Sequence, residues 1–323
     1  MSNTNNIILG LLIYILLPII YFIFYFIYKY FIISRKDILK LHGFDSWVLI
    51  TGASSGIGEK LAYEFALIGF NICIIGSKNS IQVINNIKSN YARNVKTHFI
   101  EKDFNTSQDQ YFFNDIESWI INNNVSIIIN NIGHRVSSLD YTKQSRKDIK
   151  DTINCGTLPQ SIISQIGIKK FLERKGKYKS TLINITAQCF TYNLGIGSVY
   201  SPIISVPYLS CYEGANAFGF YQGQSLYEEI RIKRNIDSRY KNINILNITP
   251  GAVLTSRTNK SLSWIPFSCK DTIFANGIVN LIDNLEGQQC AYWGHELSNS
   301  LMLFTPFLKK YILEKVGYNI ASK

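Results

Sequence analysis

Charge is scarce in this sequence: 17% of its 323 residues are Asp, Glu, Lys or Arg, against about 25% in an ordinary soluble domain. Part of the chain is therefore not water-facing. The six cysteines form no CxxC pair and share no metal-ligand spacing with the four histidines. That excludes a zinc-finger reading and suits reduced thiols in a cytosolic body. Despite a net charge of +11 there is no basic block, so a nucleic-acid function has no motif behind it. The excess charge is assigned instead to an anionic membrane face and anionic ligands. Proline is rare, at seven residues, and no Pro/Gly-rich linker or repeat divides the chain. With 46% apolar residues, disorder is excluded for most of its length.

No charged side chain precedes Lys29. Ile7 to Tyr28, at ~1.5 Å per residue, is long enough to cross ~30 Å of hydrocarbon. A basic n-region and a small-residue cleavage site are lacking, which argues against a removed signal peptide. Lys29, Arg35, Lys36 and Lys40 follow the run, so the positive-inside rule places the body in the cytosol. Pro18 sits where it can kink the span, and Tyr21, Tyr25, Tyr28 and Tyr30 form an aromatic collar. A hairpin or monotopic insertion fits the same composition. The expected organisation is an anchor over 1–34, a connector over 35–46 and one domain over 47–323. An insertion at about 188–205 and an amphipathic segment at about 301–316 belong to that domain.

From Trp47 onward, short apolar runs alternate with amphipathic stretches, which predicts an α/β fold, a doubly wound parallel sheet of about seven strands. The strands are placed at 48–51, 72–75, 97–100, 126–130, 181–185, 242–247 and near Cys290. Helices are placed at 58–68, 108–121, 147–172, 211–234 and 271–282. Between the first strand and the first helix of that body stands Thr51-Gly52-Ala53-Ser54-Ser55-Gly56-Ile57-Gly58. This is a phosphate-binding turn: Gly52 permits the tight bend, Gly56 a close backbone approach and Gly58 close helix packing. The helix N-terminus supplies unpaired N–H donors.

That spacing, TGxxxGxG, resembles the short-chain dehydrogenase/reductase family, and the resemblance covers nearly everything after the span. Asn130-Asn131-Ile132-Gly133 is similar to the family's NNxG motif, with Asn131 and Gly133 beside the cofactor. Asp103 stands where the family contacts adenine, and Asn154 where it carries a proton-relay asparagine. Pro250-Gly251 and Thr255 resemble the PGxxxT segment on the nicotinamide side. The span, Asp103-Phe104 and Val206-Pro207-Tyr208-Leu209-Ser210-Cys211-Tyr212 are most similar to the membrane-anchored very-long-chain 3-oxoacyl-CoA reductase and 17β-hydroxysteroid dehydrogenase branch. The branch implies a Rossmann-type fold, an endoplasmic-reticulum location and reduction of a ketone on a lipid-like small molecule. It also implies a homodimer through the two long helices.

The catalytic pattern is broken. A ketone reductase of this kind protonates the forming alkoxide from a Tyr whose pKa is lowered by a Lys four residues on. Tyr212 is present, but its i+4 partner is Asn216. Ala187 stands where the family has a serine, with Thr186 the nearest hydroxyl. Tyr192, Ser198, Tyr200 and Ser201 of the insertion are further hydroxyls, and His134 follows Gly133. The YxxxK strings at Tyr25–Lys29 and Tyr311–Lys315 fall outside the required order of elements. Ser77 takes the place of the branch's 2′-phosphate arginine, Lys78 follows it, and no acid stands there. This favours NADP(H) over NAD(H). The reading leans to an oxidoreductase, with a nucleotide-binding pseudoenzyme as the alternative.

Overall fold

Seven apolar runs become seven parallel strands in one sheet. The computed structural model describes residues 2–90, 95–133, 140–174, 177–187, 207–256, 258, 262–304, 311 and 314–315. The strands are β1 (Trp47–Thr51), β2 (Asn71–Gly76), β3 (Thr97–Glu101), β4 (Val125–Asn130), β5 (Ser180–Ile185) and β6 (Ile243–Ile248). A small pair, β7 (Val253–Leu254) and β8 (Cys269–Lys270), stands apart, and β9 (Gly287–Gln289) completes the main sheet. The order is β3-β2-β1-β4-β5-β6-β9. Leu49 is flanked in register by Cys73 and Ile128. Every residue of β2 and β4 is buried, as expected where helices cover both faces of a parallel sheet.

The helices are α1 (Ser2–Ile27), α2 (Ile38–His42), α3 (Gly56–Ile68), α4 (Ile81–Asn90), α5 (Asn114–Asn122), α6 (Arg146–Glu173), α7 (Ser210–Lys233), α8 (Asp271–Leu281) and α9 (Trp293–Phe304). Leu61 and Phe65 of α3 and Phe274 and Ile278 of α8 fill one face of the sheet. Ile116 of α5, Ile163 and Phe171 of α6 and Ile230 of α7 fill the other. Strand order reverses between β1 and β4, so a crevice opens above their carboxyl ends.

The expected helix from 108 begins only at Asn114, because the segment before it is taken up by tight turns. The Asp103 carboxylate opens them by accepting from Asn105 N at 3.1 Å. The C-terminal helix starts at Trp293 rather than Leu301. The insertion at 188–205 and His134 lie outside the described residues, as does most of 305–316.

At the N-terminus α1 runs unbroken through Pro18 into a π-helical turn, Tyr28–Ile32. Leu12–Ile32 is long and apolar enough to cross a membrane, by length and composition. The tyrosines and lysines at its end do not form a simple collar. Tyr25 Oη donates to Gln289 Oε1 at 3.1 Å, and Tyr30 Oη donates to the Cys290 carbonyl at 2.9 Å and to Glu296. Lys29 is buried and pairs with Glu296 at 2.6 Å. Arg35 donates to Asn276 and Asn280, and Lys36 to the Asp283 carbonyl. The reason is one of accounting: polar groups buried against the body require partners there. Tyr21 and Tyr28 remain exposed.

Candidate active site

The glycine run forms the expected turn between β1 and α3. Gly52 and Gly56 hold φ of +68° and +63°, a region that side chains disfavour. A Cβ on Gly58 would collide with the Asn131 amide and lie 2.9 Å from the Gly52 carbonyl. Asn131 in turn ties the turn to β4: its Nδ2 donates to the carbonyls of Thr51 and Gly52 at 3.2 and 3.1 Å. Its N–H donates to Thr51 Oγ1 at 3.0 Å. Ser55 precedes the helix without a side-chain cap, leaving the first N–H groups of α3 for a ligand. Ser54 and Ile57, half-buried, complete the run.

Thr255 comes to this turn from across the crevice. A Cβ on Gly56 would lie 3.0 Å from Thr255 Cγ2, so the turn and the Pro250-Gly251 segment face one another. Thr255 is set by Thr258, whose Oγ1 accepts from Thr255 N at 2.9 Å. Gly251 N donates to Nδ1 of His295 at 3.2 Å, and His295 Nε2 lies 3.3 Å from the Ala252 carbonyl. Burial lowers the His295 pKa to about 4, so the ring is neutral and Nε2 carries the proton. Sequence reading missed His295; its role is visible only in the fold.

These features fit a dinucleotide phosphate: a glycine cradle that Cβ atoms would fill, open helix N–H groups and an apposed threonine. At the end of β2, Ser77 and Lys78 are exposed and no carboxylate stands beside them in sequence. Asp103 is also exposed, one carboxylate oxygen already spent on Asn105.

Tyr212 opens α7 beside a small cavity of about 30 Å³, shared with Gly133, Thr186, Asn216 and Gln160. That is about the volume of one water. The preceding Tyr208 has a φ of 71°, a strained turn that launches α7. Close helix contact holds it there, since a Cβ on Gly156 of α6 would lie 2.7 Å from Ala215 Cβ. The Asn216 amide does not point outward. It donates to the Tyr212 carbonyl of its own helix at 2.8 Å. Ala187 directly follows Thr186 and offers no hydroxyl.

Asn154 is not brought to this group. Its side chain donates to Gln108 Oε1 at 3.2 Å, and its carbonyl accepts from Ser107. The α6 residues lining the cavity are instead Thr152, Gly156 and Gln160. Gln160, which the sequence reading did not single out, donates to the Gly219 carbonyl at 2.7 Å and to Gln222 at 2.8 Å. A polar residue four positions after Gly156, on one helix face, was the available signal.

A buried amide chain crosses the sheet from β4 to β6. Asn130 donates to Ser164 and Asn184, Asn184 to Asn247, and Asn247 to Gln224, at 2.9 to 3.0 Å.

A doubly wound sheet with a glycine cradle at its switch point defines an α/β architecture of the nucleotide-binding, Rossmann type. The family profile described as short chain dehydrogenase matches residues 46–202. Over those residues the chain is similar to the short-chain dehydrogenase/reductase family. It is 25% identical over 287 residues to the human protein named inactive hydroxysteroid dehydrogenase-like protein 1, covering 86% of this chain and 76% of that one. It is 27% identical over 192 residues to the very-long-chain 3-oxoacyl-CoA reductase of Mus musculus, covering 58% and 55%. Among solved structures, a short-chain dehydrogenase from Sphingobium yanoikuyae in complex with NADPH superposes with a TM-score of 0.60 at 19% identity. That match covers 76% of this chain and 87% of the other.

Proposed function

We propose that the chain is a membrane-anchored, NADP(H)-binding member of the family whose ketone-reducing chemistry is silenced or strongly slowed. One observation carries this reading: the position that should place a cation beside Tyr212 holds an amide folded back onto the Tyr212 carbonyl. Gly52, Ser54, Ser55, Gly56, Ile57, Gly58, Asn131 and Gly133 would hold the pyrophosphate side. Pro250, Gly251 and Thr255 would hold the nicotinamide side. Ser77 and Lys78 favour a 2′-phosphate, and Asp103 would meet the adenine edge.

A bound reduced nicotinamide would supply hydride; the chain's own part is to hold the ketone and deliver a proton from Tyr212 Oη. A phenol does this poorly at neutral pH without a neighbouring cation to lower its pKa. Thr186 and Asn216 provide hydrogen bonds at the cavity but no charge. Asn154 acts at most through the backbone of α6. The name of the human relative supports the silenced reading.

A second reading, an active reductase of a lipid-like ketone such as a 3-oxoacyl-CoA, is favoured by Tyr212 facing the same cavity as Thr186 and Gln160. Ile153, Phe218 and Tyr221 are exposed on α6 and α7 and support a homodimer through those helices. The apolar span supports a membrane location, and the resemblance points to the endoplasmic reticulum.

The test is single-turnover NADPH oxidation by the detergent-purified chain with a long-chain 3-oxoacyl-CoA. We expect the Asn216→Lys/Ala187→Ser variant to exceed the natural sequence by roughly 10²- to 10⁴-fold, with NADPH bound by both. Equal rates, abolished by Tyr212→Phe, would establish the reductase instead.

A further inference from the structure

The docked end of the span fixes which side of the body meets the bilayer. Its contacts lie along one flank of the sheet, first at the carboxyl end of β9 and then at the segment that precedes it. Tyr25 reaches Gln289, the last residue of β9, which pairs with Ile248 at the carboxyl end of β6. Tyr30 reaches Cys290 just beyond it. Ser34 and Lys36 reach Asn284 and Asp283, which precede β9. The chain thus enters beside the carboxyl ends of the strands and leaves beside their amino ends. Everything before Tyr25 projects past the carboxyl edge. From Ile7 to Phe24 the exposed apolar side chains include Ile7, Leu12, Leu17, Ile20 and Phe24. Those 18 residues (24 − 7 + 1) span about 27 Å of helix, close to the hydrocarbon thickness.

A second observation lies on the same edge. Phe267 precedes β8, Ile273 lies in the first turn of α8, and Trp293 opens α9 just after β9. Their exposures are 36%, 51% and 38%. Phe267 and Trp293 stack edge-on with centroids 6.0 Å apart, and Phe267 holds a φ of 62°, which keeps a large ring at the surface against backbone preference. Lys270 is exposed beside them. Aromatic rings with a cationic rim are the composition of a headgroup-level contact.

We infer that the carboxyl-edge face of the sheet rests on the bilayer, with Phe267, Ile273 and Trp293 seated at headgroup depth. The inference rests on the membrane-anchored reading above. It turns the mouth of the nucleotide and Tyr212 crevice toward the lipid, so that an amphipathic ligand enters from the membrane rather than from bulk water.

The full chain is reconstituted in phosphatidylcholine–phosphatidylserine nanodiscs with and without brominated acyl chains. Bromine quenching of Trp emission is expected to fall by about half on Trp293→Phe. It should be unchanged on Trp119→Phe, whose ring is stacked on His98. Ile273→Asp, a surface change, should reduce quenching in the same direction with Trp293 intact. If Trp293→Phe and Ile273→Asp both quench like the natural sequence while the chain resists carbonate extraction, the orientation is overturned and the anchor stands. If carbonate releases the chain, both are overturned. NADPH oxidation rates bear on neither.

Discussion

His295 offers a direct test of how the Pro250-Gly251 segment is held. Its ring is 2% exposed, accepts from Gly251 N and lies against the Ala252 carbonyl, so protonating Nδ1 would break the bond to Gly251 and bury a charge. Burial depresses its pKa from 6.5 to about 4. The unfolded chain takes up a proton on this ring as pH falls through 6.5, whereas the folded chain does not until about 4. Stability is therefore present in full above 6.5 and is lost as pH falls toward 4. At pH 5 the difference in proton uptake is worth about 2 kcal/mol. For a body of this size that is about 4 to 8 °C in Tm. The assay is thermal unfolding of the purified chain from pH 7 to 5, beside His295→Asn. The variant melts lower at pH 7 because contacts are lost, but its further drop between pH 7 and 5 should be smaller by that amount. Parallel pH profiles for the two proteins would refute the argument.

Two other outcomes follow from the packing. Gly58→Ala drives a methyl into the Asn131 amide, an overpacking of about 1 to 3 kcal/mol. NADPH affinity, read by fluorescence energy transfer from protein to nicotinamide, should weaken about tenfold or more, whereas Gly214→Ala, with open space around its Cβ, should bind as before. Asn184→Leu removes both a donor to Asn247 and an acceptor for Asn130 in a fully buried position. At about 1 to 3 kcal/mol for each orphaned group, Tm should fall by several degrees, while exposed Ser77→Ala leaves it unchanged.

Much of the fold was legible because two periodicities carry it: apolar strand runs, and the 3.6-residue faces of α3, α6 and α7. The cradle was legible because Gly52, Gly56 and Gly58 are required by backbone and packing, which a string of residues records directly. Helix α4 was not, since its stretch Ile81–Asn90 is rich in Asn and shows only Val83, Ile84 and Ile87 as an inward face. Asn154 shows a different limit. Alignment gives an address along a helix but not a direction. Two residues of helix turn it about 200° from both Thr152 and Gly156, and so away from the cavity they line. His295 and the Asn130–Asn184–Asn247 chain acquire their partners only when distant segments meet. The lysines after the span carried the expected charge, yet the fold spends Lys29 on Glu296 rather than on lipid.

The docking of the N-terminal helix end beside β9 also bears on how the protein avoids sticking to itself. A sheet of seven strands has two open edges, each a row of unpaired backbone groups able to template another chain. Strand β9 is three residues long and, though outermost, is buried at Gly287 and Gln289. The incoming helix end, with Tyr25 and Tyr30 hydroxyls on Gln289 and Cys290, works as a guard along that flank. The opposite edge, β3, relies on charge instead: Glu101 within it, and Lys96 and Lys102 at its ends. Removing the N-terminal helix would therefore bare the less protected of the two edges. A version cut after residue 36 is expected to self-associate unless a charge is placed in β9.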